Sequence, residues 1–163
     1  AARGLGVLIG GWLAVRGTGT VALPDPHGPP AVRFPGVDDP ADAQGLRGAV
    51  RRLFAAADHD AVRELADAVY VDEHGTTLES LRAGGDDAVW AWATAAANPY
   101  HHAAGSCRLG VALTGEGWLR GYAGVGVADA SALPGVPRHN VFLSVVDLAE
   151  RVSARWARHP AAP

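Results

Sequence analysis

The chain has 163 residues, 48% of them hydrophobic and 19% charged, with one Cys and a net charge of −3. That length supports one sizeable core, since chains of about 150 residues bury roughly 68–70% of their unfolded surface. Near-neutral charge gives no footing for nucleic acid or an anionic membrane as partner, one Cys excludes an internal disulfide, and high apolar content excludes disorder. Met and Lys are absent, all 14 basic residues are Arg, and Ile9 and Gln44 are single occurrences. This is the residue usage of a GC-rich coding sequence, and a chain opening on Ala1 implies a translation start upstream.

The apolar run 5–15 reads as a buried strand. It is too short for a bilayer-spanning helix, which needs about 20 apolar residues. It also has only Arg3 before it and no cleavage site for a signal peptide. A cytoplasmic location is the expectation. Gly4-Leu5-Gly6 with Gly10 lacks the preceding strand that a dinucleotide-binding turn requires. Residues 18–23 and 31–34 are strand candidates bounded by Pro24-Asp25-Pro26, Pro30 and Pro35.

Asp39-Pro40 opens a helix, with Leu46, Val50, Leu53 and Phe54 on its apolar face and Arg47, Arg51 and Arg52 solvated. A second helix is expected over 59–70, and Thr76-x-x-Glu79 has the form of a capping box for a short third. Residues 86–97 form an Ala-rich helix carrying Trp90 and Trp92 as core filler, ended by Asn98-Pro99. A glycine-rich tract over 105–126 leads to an amphipathic helix over 141–158. The fold class is α/β, and α+β within this chain.

Chemistry concentrates between Tyr100 and Asn140. His101-His102 precede Gly105-Ser106-Cys107-Arg108-Leu109-Gly110. Gly121-x-x-Gly124-Val125-Gly126-Val127-Ala128-Asp129-Ala130-Ser131-Ala132-Leu133-Pro134 then leads into Arg138-His139-Asn140. This series resembles the carboxy-terminal signature of the glucose–methanol–choline (GMC) family of flavin oxidoreductases. Gly19-Thr20-Val21-Ala22-Leu23 is similar to a strand of that family's substrate domain, and Ala149-Glu150-Arg151 to its terminal helix. The likeness covers roughly residues 5–158. Ala103, Ser106, Leu109, Gly126 and Asp147 depart from the family pattern, as does the segment 113–121.

The resemblance implies that the chain is the carboxy-terminal part of a longer FAD enzyme that oxidises an alcohol. Residues 1–97 would belong to the substrate-binding domain and 98–163 to the segment completing the FAD-binding domain and active site. The amino-terminal, Rossmann-type half with its pyrophosphate-binding turn would be the missing partner, and such a piece alone would not hold FAD tightly. His102 matches the family's catalytic histidine. Asn140, eleven residues on from Asp129, matches a second active-site position held by His or Asn. Asp129, Ala130, Asn140 and Val141 are the expected FAD contacts. The electron acceptor stays open, with no metal, nucleic acid or transmembrane segment expected.

These residue types suit the chemistry. Alcohol oxidation needs a proton acceptor, which His provides, and a donor to steady the developing alkoxide, which an Asn amide provides. Hydride needs an acceptor that protein side chains lack, and a flavin is one. Three rival readings exist. Cys107 near His101 and His102 is one, as a Cys–His hydrolase or thiol-redox site. A metal site of His101, His102 and Asp86 or Asp87 is another, but adjacent histidines lack the i,i+4 ligand spacing. The third is a non-catalytic flavin-fold module. His139 would take Asn140's place under a one-residue slip in register.

Overall fold

The computed structural model describes residues 4–158; residues 1–3, Arg3 among them, and 159–163 lie outside it. Helix and strand are mixed in an α+β arrangement, in the order β1 (Thr20–Ala22), β2 (Ala31–Arg33), α1 (Pro40–Ala57), α2 (Asp60–Arg63), α3 (Leu78–Ala83), α4 (Gly85–Ala96) and α5 (Phe142–Arg158). Two compact units emerge. One joins the segment up to Trp12 with Gly36–Asn98, and the other joins Leu13–Pro35 with the chain from Pro99 onward. No helix among the described residues is long and apolar enough to cross a membrane.

In the first unit, α1 starts where Asp39 accepts from the N–H groups of Ala41 (2.7 Å) and Asp42 (3.4 Å), with Pro40 in the first turn. That satisfies donors a helix start leaves orphaned. Val50 and Ala57 are buried, and Phe54 meets Trp92 of α4 at 5.9 Å between ring centroids. Trp92 also donates to the Val71 carbonyl (3.1 Å), and the Arg47 guanidinium lies 3.8 Å over the Trp90 ring. Both tryptophans therefore serve packing, and Arg47 covers one of them instead of standing free in solvent.

Three expectations fail here. The run 5–15 is not a buried strand: residues 4–19 carry no regular structure, and Leu5 and Ile9 are 91% and 76% exposed. A strand needs a ladder partner; this run is instead tied down by Trp12, which donates to buried Asp42 at 3.0 Å. The helix expected over 59–70 stops at Arg63. Val69 and Val71 prefer extended pairing, with Leu78 N–H on the Val69 carbonyl and Val71 N–H on the Thr76 carbonyl, both 2.9 Å. Asp72 closes that turn by accepting from the His74 and Thr76 N–H groups, with Gly75 at φ 87°. The cap of α3 is Thr77, whose hydroxyl accepts from Ser80 N–H (3.1 Å), one residue after the expected Thr76.

Asp58 binds Arg82 through both carboxylate oxygens (2.8 and 3.0 Å), with Arg63 at 3.5 Å. The Arg82 hydrogen bonds hold the Asp58 carboxyl below its ordinary 3.8. A depressed folded value means the pair's stabilisation is present above 3.8 and is lost as pH falls through the lower folded value. Thermal melts across that acid range should show a steeper pH slope for the native protein than for Asp58→Asn. The effect is small because the site is exposed, and equal slopes would remove the pair from the stability of this unit.

In the second unit, β1 and β2 form an antiparallel hairpin pairing Thr20 with Arg33 and Ala22 with Ala31. Its turn places Gly28 N–H on the Asp25 carbonyl at 3.1 Å. The core is Leu113, Ala132 and Val152, each at most 1% exposed. Leu113 bridges to Leu109 and Leu119. α5 docks through Val152 and through Trp156, which stacks on Trp118 at 4.9 Å. Glycine is required beneath it: a Cβ on Gly117, at φ 88°, would lie 2.7 Å from Val152, and one on Gly126 2.5 Å from Trp156. Asp147 faces solvent and pairs with Arg151 (2.9 Å), which accounts for an acid in this helix.

Candidate active site

His102, Cys107, Asp129, Ala130, His139, Asn140 and Val141 all belong to the second unit. Two of the chemistry-bearing motifs are joined directly. Gly105, Cys107 and Leu109 donate their N–H groups to the carbonyls of Ala130 (3.2 Å), Ser131 (2.9 Å) and Ala132 (3.0 Å). Alternate residues of the His102–Gly110 segment are thus tied to three successive carbonyls of the Asp129 segment. Gly105 sits at φ 81° with the Leu133 carbonyl 3.3 Å from where a Cβ would stand, so the close approach needs glycine.

Asp129 shapes its own turn. Its Oδ1 accepts from the N–H (2.8 Å) and hydroxyl (2.5 Å) of Ser131, capping the 3-10 turn Ala130–Ala132. Cys107 is half-buried, and no hydrogen bond joins its thiol to a histidine among the described residues. Nor does any group of three His, Cys, Asp or Glu side chains there stand at metal-binding range.

His102 is half-buried, and its Nδ1 lies 3.1 Å from the His101 carbonyl. A carbonyl can only accept, so a neutral ring making this bond carries its proton on Nδ1 and presents Nε2 as a bare acceptor. Tyr100 packs against the same ring, edge to face, with centroids 4.9 Å apart and planes at 83°. The aromatic residue directly ahead of the two histidines was the signal for this contact, and sequence reasoning passed over it.

Asn140 stands before α5. The Val141 carbonyl takes the helix's opening bond from Val145 N–H, and the Phe142 N–H is accepted by Asn140 Oδ1, both at 2.9 Å. Val141 is therefore the N-cap, and Asn140, one residue earlier, closes an Asx turn onto the first helical N–H. That turn also orients the amide, because Oδ1 must face the backbone donor and Nδ2 is turned away from it. His139 instead bonds through Nδ1 to the Asn140 carbonyl (2.8 Å). His139, Asn140, Phe142 and Leu143 line an open concavity, with Phe142 and Leu143 67% and 74% exposed. No hydrogen bond joins His102 to Asn140 among the described residues.

The model of the family described as GMC oxidoreductase matches residues 15–149. The chain belongs to the GMC oxidoreductase family. The match is to the family's carboxy-terminal domain and takes in both joined motifs, Asn140, Val141 and the first half of α5. No curated protein matches this GMC chain. Family membership makes the chain part of an oxidoreductase, and the histidine, the aspartate turn and the asparagine ahead of α5 are then its candidate working residues.

Proposed function

We propose that this chain supplies one wall of a FAD-dependent active site that oxidises the CH–OH group of an alcohol. His102 is the general base and Asn140 the hydrogen-bond donor to the developing alkoxide. The observation that supports this reading is how the two side chains are oriented. One main-chain bond ties Nδ1 of His102 and another ties Oδ1 of Asn140, leaving one bare acceptor and one free donor. Removing a hydroxyl proton and steadying the oxygen left behind needs that pair.

The residue types suit a flavin: Asp129 and Ala130 would meet its ribityl or phosphate region, and Asn140 and Val141 would stand at its reactive end, with exposed Phe142 and Leu143 offering apolar surface beside Asn140. The glycines at 4, 6, 10 and 11 lie in irregular backbone, which does not fit a pyrophosphate-binding turn. When bound, FAD supplies the hydride acceptor. In this proposal residues 1–97 contribute to the substrate-binding domain and 98–163 complete the flavin-binding one.

The full-length enzyme, purified with FAD and mixed anaerobically with primary and secondary alcohols, should lose its oxidised-flavin absorbance with at least one of them. Residues 1–163 alone should retain little FAD after gel filtration. A flavin-loaded enzyme that no alcohol reduces, or stoichiometric FAD on the isolated chain, would overturn the reading.

A further inference from the structure

Resting on that reading, we infer that Tyr100 and the main-chain carbonyl of His101 are positioning groups that hold His102 in the Nδ1–H tautomer, with Nε2 directed to the substrate. Two independent observations meet at this ring. His101 has φ 39°, the only non-glycine among the described residues in the left-handed region. A residue with a Cβ adopts that conformation at a cost, and such strain persists where surrounding structure enforces it. Its consequence here is local: the dihedrals of His101 lie between Tyr100 and His102, so the turned backbone sets how those two rings meet at 4.9 Å. The 3.1 Å bond from His102 Nδ1 to the His101 carbonyl is set by the dihedrals of His102 itself.

Tyr100 makes the second restraint. Edge-to-face packing at 4.9 Å fixes the plane of the imidazole, which the carbonyl bond alone leaves free to tilt. Together they act on both variables a general base requires, which nitrogen carries the proton and where the other one points. The Tyr100 hydroxyl has no part in this, so phenylalanine should serve equally well. Nor does the His101 imidazole, because only its backbone is used. Glycine at 101 should keep the geometry and relieve the strain, whereas a β-branched valine opposes a positive φ.

The test uses the full-length holoenzyme labelled with ¹⁵N-histidine, with His102→Ala identifying the His102 signals. Long-range ¹H–¹⁵N correlation of the neutral ring should show the proton on Nδ1 in the native protein, in Tyr100→Phe and in His101→Gly. Tyr100→Ala and His101→Val should give mixed tautomers and a kcat lower by about tenfold with KM little changed, the scale of one neutral hydrogen bond together with one aromatic contact. A native His102 protonated on Nε2, or Tyr100→Phe as impaired as Tyr100→Ala, would overturn the inference. The spectrum reads the tautomer whether or not His102 is the base. Unchanged flavin reduction in His102→Ala would therefore sink the catalytic reading by itself.

Discussion

Replacing His102 with alanine in the full-length enzyme should slow flavin reduction by alcohol about 10²–10⁴-fold, the range for loss of a general base. FAD content should stay near native. The half-buried ring makes its one hydrogen bond to its own neighbour's carbonyl, so its removal leaves the ladder between Gly105–Leu109 and Ala130–Ala132 intact. Anaerobic stopped-flow at saturating alcohol isolates the step. Cys107→Ser serves as the control, since the Cys107 contribution to that ladder is its backbone N–H, which serine keeps. Native rates in His102→Ala would move the base to His101 or His139. Loss of activity in a well-folded Cys107→Ser would instead revive thiol chemistry.

Asn140→Ala should lower turnover by about 10²–10³-fold, the effect of deleting one donor to a developing oxyanion. It should also cost stability, because Asn140 Oδ1 holds the Phe142 N–H, and losing one such hydrogen bond costs about 0.5–1.5 kcal/mol. Asn140→Asp separates these effects. A carboxylate still accepts from Phe142 and suits a helix start, but it has no proton to donate. Stability should therefore return in Asn140→Asp while turnover stays low. His139→Ala should leave chemistry nearly intact. Full turnover in Asn140→Asp, or collapse in His139→Ala, would show the register to be one residue off.

Elements announced by local chemistry were legible in the sequence. Asp39-Pro40 marks the start of α1 by a cap and a fixed φ that depend on nothing distant. The α4 and α5 bounds likewise fall within a residue of those expected. Elements decided by pairing were not. Residues 64–70 carry helix-compatible composition, yet Val69 and Val71 find partners across the Asp72–Gly75 turn and leave the helix at Arg63. The run 5–15 looks like a strand in composition, but nothing in composition supplies a partner. For the site, motif order and spacing nominate His102 and Asn140. The contacts that orient them, through the His101 carbonyl, Tyr100 and the Phe142 N–H, depend on dihedral angles that no motif encodes.

The Asx turn at Asn140, together with the donor role proposed for it, bears on what else that position tolerates. Under that proposal its occupant accepts a backbone N–H at one atom and offers a proton from another on its far side. His59 shows that imidazole meets the first half: at the start of α2 its Nδ1 accepts from Ala61 N–H at 3.2 Å. A ring accepting at Nδ1 carries its proton on Nε2, the mirror of the Nδ1–H tautomer at His102. Asparagine and histidine are therefore interchangeable here by geometry, each a two-ended connector between helix and substrate. Aspartate has only the accepting end, and serine has a single oxygen for both tasks. Holding the helix and holding the substrate become one selection on one side chain.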